Sequence, residues 1–429
     1  MVYCPDRQKF QMILSPKQGK IYNFKEDYKM KKRLQKISSL VLAGALALSM
    51  TACGGNTSEK GGSGESVEFK DAKIAVALYA DGTFFSDAIK TYIDYLAEAM
   101  NTEVTYTVFS QTDEAANVAA VQQLISSGVD GIIGTMDLGT EAILEECEAA
   151  GVYYAGYRCD FETSYANANE AVFGNDTFLG TVADGALTDD PTYGQVYFDS
   201  LLEYNEAHPD NPIEHVSMAL FPSYAFPVQM LAAEQFTKAV EEYNATAETP
   251  ITVDPLNEEV DVLQFSPLSS TYFSQHPNID AIMSFAAGVT YVYPTMVSSG
   301  VDDEIKVFTS DYDPSIAENF GSEGTQTFQQ VVASPIESIA YPLVLIINRI
   351  NDVEFSDMPE NAERIPSSLI VVNSDEDMEK MLTNLYSTGN AEDAMLSAED
   401  VVNLTAVANP DATYADLVET VQSMTIDTM

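Results

Sequence analysis

Phe84 and Phe85 stand side by side just after an apolar run. An aromatic face stacks well on the apolar face of a pyranose ring or on a base, so the pair could hold a compact organic ring; alternatively one of the two is core. Arg158 follows another apolar run, and beyond residue 52 it is one of three arginines, with Arg349 and Arg364. A guanidinium fork can grip vicinal hydroxyls or a carboxylate through two parallel hydrogen bonds; a surface pair with Asp160 or Glu162 is the plainer use. The groups that catalysis would need do not assemble. No Ser-His-Asp spacing, zinc-ligand cluster or phosphate-cradling glycine loop occurs, and the histidines are His208, His215 and His276. The pattern points to binding rather than catalysis, with no cofactor and no metal.

The beginning of the chain carries a different chemistry. Residues 31–36 (Lys-Lys-Arg-Leu-Gln-Lys) are basic, Ile37 to Leu48 is apolar, and small residues follow up to Cys53-Gly54-Gly55. This is the layout of a secretory signal; its apolar stretch is about a dozen residues, short of the ~20 that span a bilayer. Its end resembles the lipobox of bacterial lipoproteins, with Met50 where that motif usually has Leu. The resemblance implies that Cys53 is lipidated and anchors the protein to the outer face of the cell membrane. Met30 opens the signal directly, so residues 1–29 are expected to be an upstream extension, 30–52 the signal and 53–70 a Gly/Ser-rich tether.

Residues 1–52 hold 10 of the 20 Lys+Arg and three of the 66 acids, leaving 10 basic and 63 acidic residues beyond them. Such a chain repels nucleic acid and anionic headgroups. About 375 residues suggest two domains or more. Cys147 and Cys159 do not read as a metal site; a disulfide between them is possible outside the cell.

From Ala72 onward, strands alternate with helices of 10 to 15 residues, which argues parallel sheets covered on both faces. The strands are expected at Lys73–Tyr79, Val104–Phe109, Gly131–Thr135, Val152–Gly156 and Ala171–Gly174, with helices at Phe85–Met100, Asp113–Ser127 and Thr140–Ala150. A second set follows a helix expected at Phe178–Leu187: strands at His215–Phe221, Ala281–Phe285, Lys306–Ser310 and Gln326–Val332, with helices at Met230–Tyr243, Val289–Ser298 and Ile336–Ile350. The fold class is therefore α/β, two doubly wound halves. Residues 374–429 read as an acidic helical extension.

With these elements in place the chain resembles the type 1 periplasmic binding proteins, the sugar-binding group, over roughly Ala72 to Asn373. The matching text is Gly82-Thr83-Phe84-Phe85 after the first strand, Leu124 to Ile133 before the third, Gly174-Asn175-Asp176, and Pro366 to Asn373. The resemblance implies two Rossmann-like lobes joined by three crossings, near Gly174, Gln330 and Asn351. Lobe I is then 71–174 plus 331–351, and lobe II is 175–330 plus 352–373.

The resemblance also implies a ligand site at the strand tips. Arg158 matches a family arginine, though the acid before it is replaced by Tyr157. Asp311 falls where the family has an aspartate that accepts bonds from hydroxyls. Asp137 follows the third strand, and Gln330 falls near the family's hinge glutamine. Ala286-Ala287 replaces an Asn-Asp pair and Met230 stands near a missing arginine, while Tyr224, Phe226 and Tyr291 add rings. The cleft is thus expected to be more aromatic and less hydrogen-bonding than a pentose receptor's, suiting a sugar, a nucleoside-like molecule, a modified sugar or a small peptide-like signal. The implied partners are that solute and the permease subunits of an ABC importer, with the protein a monomer. A receptor signalling to a membrane histidine kinase is the alternative.

Overall fold

The computed structural model describes residues 68–161, 168–183, 193–223, 226–321 and 326–429. The expected upstream extension, signal, Cys53 and most of the tether lie outside these residues, as does Tyr224. Among the described residues no helix is long and apolar enough to cross a membrane.

The first strand, β1 (Ala72–Leu78), is apolar almost throughout and six of its seven residues are buried, as a strand covered on both faces requires. The chain turns at Gly82 and enters α1 (Phe84–Ala99), capped by Thr83, which accepts from the Ser86 amide while the Ser86 side chain returns to the Thr83 backbone. Ala88, Ile89, Tyr92, Ile93 and Leu96 form its buried stripe. There follow β2 (Thr102–Val108), α2 (Glu114–Ser126) capped by Asp113, β3 (Gly131–Gly134), α3 (Thr140–Ala150) and β4 (Tyr153–Tyr157). Next is β5 (Phe178–Ala183), and α4 (Tyr193–Ala207) begins the second half.

That half repeats the pattern with β6 (His215–Ala219), α5 (Pro227–Asn244), β7 (Thr252–Val253), β8 (Ala281–Ala287), β9 (Lys306–Ser310) and β10 (Phe328–Ala333). Then come α6 (Ala340–Ile350), β11 (Arg364–Pro366), β12 (Ile370–Val372), and the extension with α7 (Asp375–Thr383), α8 (Ala398–Asn403) and α9 (Tyr414–Gln422). Two six-stranded sheets result, ordered β11-β5-β4-β3-β1-β2 and β12-β10-β9-β8-β6-β7. All pairings are parallel except β10 with β12. The sheets superpose in order strand for strand, so β1 corresponds to β6, β3 to β8 and β4 to β9. Each has its topological switch beside the first strand, where a ligand crevice forms outside the carboxyl ends.

Five expectations need correction. Ala168–Phe173 is a helix, and Phe178–Ala183 is a strand rather than part of a helix. The apolar residues 178, 179, 182 and 183 have helical spacing, but all six residues of β5 are buried, and a strand buried on both faces cannot be told from a helix by periodicity. β5 belongs to the first sheet, so the chain is still in the first lobe at Ala183 and has not crossed near Gly174. The third falls between Pro366 and Ile370, not near Asn351, because the three-residue β11 joins the first sheet. The second lies just after β10, close to its expected place: the chain leaves Ala333 and enters α6, which packs on β3, β4 and β5. The expected helix Val289–Ser298 is broken at Val292, just ahead of Pro294.

Candidate functional site

The carboxyl ends of β1, β3 and β4 face those of β6, β8 and β9 across a cavity of ≈ 210 Å³. From the first lobe, the turn after β1 brings Tyr79, Phe84 and Phe85, the end of β3 brings Asp137, and the end of β4 brings Arg158. From the second, β6 leads to Phe221 and Phe226, β8 to Tyr291, and β9 to Asp311 and Tyr312.

A charged pair joins the two lobes at this cavity. Arg158 Nη2 donates to Asp311 Oδ1 at 3.0 Å. The two residues occupy corresponding places, one past β4 and the other past β9. Both have a left-handed φ of 59°, uncommon for non-glycine residues. Both fix that turn identically: the Arg158 amide donates to Val182 O on β5 and the Asp311 amide to Val332 O on β10. The backbone at each strand tip thus swings its side chain toward the opposite lobe. The guanidinium also lies 4.6 Å from the centre of the Phe85 ring, a cation–π contact.

Asp137 is nearly buried, its Oδ2 accepting from the amides of Asp160 and Phe161. Asp160 Oδ1 accepts from Arg364 Nε at 2.5 Å.

The far wall is a ring cluster. Phe221 stacks on Phe265 (5.2 Å, 20°) and meets Tyr291 edge-on (4.9 Å, 84°), with Phe226 at 5.4 Å. Phe265 belongs to the long loop between β7 and β8. A partly buried hydrogen-bond chain ties that loop down: Asp254 bonds His215 Nε2 and His276 Nδ1, and His276 Nε2 bonds Asp261. Burial pulls the His276 pKa down, but the bonds to the two aspartates outweigh it and leave it above the ordinary 6.5.

Of the residues singled out by sequence, Phe84, Phe85, Asp137, Arg158, Phe226, Tyr291 and Asp311 line this one cavity. Gln330 does not. It is fully buried on β10, its Nε2 donating to Ser200 Oγ at 2.6 Å and to Val196 O, so it ties β10 to α4. Sequence reasoning missed Phe221, Phe265 and Tyr312. Phe265 sits in a loop without periodicity, and Phe221 reads as the end of a strand. Tyr312 could have been found as the neighbour of Asp311. Cys147 and Cys159, both buried, are not joined by a disulfide. No cluster of His, Cys, Asp and Glu able to hold a metal occurs among the described residues.

Comparison with known proteins gives one family. A family model described as "Periplasmic binding protein domain" matches residues 74–350. No curated protein matches. Among solved structures, a periplasmic solute-binding protein of an ABC transporter from Actinobacillus succinogenes 130z, with bound D-allose, is similar at 15% identity and a TM-score of 0.56, covering 72% of this chain and 99% of that one. One from Agrobacterium vitis bound to α-D-tagatopyranose has 13% identity and a TM-score of 0.54, covering 75% and 99%. A sugar ABC transporter protein from Yersinia enterocolitica has 14% identity and a TM-score of 0.54, covering 80% and 96%. At these identities the likeness is one of fold.

Proposed function

The chain belongs to the periplasmic binding protein family, a family of binders rather than enzymes, and from that premise we propose that it captures a small polar solute, a sugar or a nucleoside-like molecule, and delivers it to an ABC importer. The observation that carries this reading is the Arg158–Asp311 pair, which draws the two lobes together directly at the cavity. A ligand touching both walls favours the closed arrangement by its differential affinity for it. The aromatic walls supply ring-stacking surface, and Asp137, Arg158 and Asp311 supply directional contacts. The sugars seen in the structural relatives lend support by analogy. In this reading Cys53 carries a lipid that keeps the protein on the membrane beside its permease; a single acyl chain anchors only marginally, and a second makes the anchor stable.

A thermal-shift screen of sugars, nucleosides and amino acids tests the reading. A true ligand at a hundred times its Kd stabilises the native state by about 2.7 kcal/mol. Hits should lose their effect in Arg158→Ala and Phe84→Ala. Hits that persist in both variants would move the site elsewhere.

A further inference from the structure

Resting on that reading, we propose that the cavity takes a planar heteroaromatic ligand of nucleobase type in preference to an all-hydroxyl monosaccharide. The argument begins with the polar side chains around the cavity, most of which commit an atom to the protein itself. Thr135 Oγ1 donates to Ala77 O, Ser310 Oγ to Phe285 O, and Gln111 Nε2 to Tyr79 O. Gln229 Oε1 accepts the Phe221 amide, Asp160 holds Arg364, and Asp137 takes two backbone amides. A monosaccharide presents a hydroxyl on nearly every carbon, and each one desolvated without a partner is unfavourable.

Aromatic faces, by contrast, come from both lobes: Phe85 on one side, the Phe221–Phe265 stack and Tyr291 on the other. Rings on both walls suit a flat π-system, which stacks on aromatic side chains with little demand on hydrogen bonding. Arg158 and Asp311 set a donor and an acceptor next to one another. A ring edge that alternates acceptor and donor, as in a cyclic amide or amidine, complements that pair.

The test is calorimetric titration of the full chain with adenosine, guanosine, cytidine and uridine, and separately with D-allose and D-arabinose. We expect at least one nucleoside to bind ten times or more tightly than either sugar. We expect Phe85→Ala and Phe265→Ala, one from each wall, to weaken it roughly tenfold apiece, with circular dichroism showing both variants folded. Tighter binding of a sugar would overturn the ligand class and leave solute capture standing. Binding by none of the six would overturn both. Nucleoside binding indifferent to both variants would overturn the two-walled stack.

A separate observation concerns the extension beyond Asn373. We infer that it forms a fourth connection between the lobes and holds them closed. It starts on the second lobe, where α7 packs on β12, passes to the first, where α8 packs on α1 and α9 on α6, and returns with its last turn, Ile426–Thr428, to β12 and α7. On the way it fastens to two of the crossings. Tyr386 Oη donates to Ser334 O, and Ser368 Oγ donates to the carbonyls of Val421 and Met424. On the first lobe, Tyr92 Oη donates to Leu396 O and the Ala406 amide to Asn348 Oδ1. On the second, the Tyr312 and Ser387 hydroxyls bond at 2.7 Å, and Tyr312 is itself a wall of the cavity. The ligand site therefore touches the brace directly.

Ser387→Ala and Tyr386→Phe each remove one hydrogen bond without altering a cavity side chain. Spin labels at exposed Gln123 and Lys238, in a background lacking Cys4 and Cys53, report the interlobe distance. The remaining thiols are buried, with the Cys147 pKa pushed up by burial to about 12. We expect each variant to shift the closed:open ratio toward open about 2- to 10-fold. A distance distribution identical to the parent's, even with a lower melting temperature, would reduce the extension to ordinary packing and overturn the inference.

Discussion

Asp311→Asn isolates the charged contact between the lobes at the cavity. Asparagine keeps the shape of the side chain and tolerates the left-handed backbone at this position better than most residues, so the main change is the lost charge. Two unit charges about 4 Å apart interact by roughly 4 kcal/mol at an effective dielectric of 20, which is the gross figure. The Arg158 side chain is 17% exposed but that of Asp311 is 37% exposed, so water screens the pair and desolvation offsets part of the attraction. The net contribution is then close to that of a surface pair, about 1 kcal/mol. At 1.4 kcal/mol per decade this is about a fivefold fall in the closed:open ratio. Small-angle scattering of the ligand-free chain should show a larger radius of gyration in the variant. Salt supplies the control. Near 1 M, where the screening length is about 3 Å, the parent should open toward the variant while the variant stays put. Equal radii at low salt, or equal salt responses, would refute the claim that this pair draws the lobes together.

The His276 chain gives a pH signature. Its folded pKa lies above the unfolded 6.5, so its stabilisation is complete below about pH 6.5 and is lost as pH rises through the folded value. Melting temperature should fall over that range in the parent and much less in His276→Gln; parallel slopes would remove the chain from the account. At Gly194 an added Cβ would meet the backbone of α5 at Ala232 O and Phe236 N, so Gly194→Ala should lower stability by about 1–3 kcal/mol, read as a shift in the urea midpoint. Cys53→Ser should release the protein from the membrane fraction; a variant that still sediments with membranes would rule out the lipid anchor.

Much of the site was legible along the chain because strand ends announce themselves. A short apolar run that stops at a polar or aromatic residue marks a carboxyl tip, and in open α/β sheets ligands gather at such tips. Phe84, Phe85, Asp137 and Arg158 follow such ends, Asp311 is singled out by its match to a family aspartate, and all line the cavity. Gln330 is singled out by its match to the family's hinge glutamine, and a strand alternates its side chains between two faces; its own points into α4.

The sequence by itself determined the alternation of strands and helices, the doubling of the pattern, the acidity and the scarcity of catalytic groups. These are properties of composition and short-range periodicity, set by which residues must be buried. Tertiary structure alone decided the rest. It made residues 178–183 a strand, because burial on both faces erases the difference in period. It placed the crossings, because a three-residue strand such as β11 exists only through its partner β5. It joined Arg158 to Asp311 across 153 residues and carried Phe265 from a featureless loop to the cavity wall, for contacts between distant segments leave no periodic trace in either one.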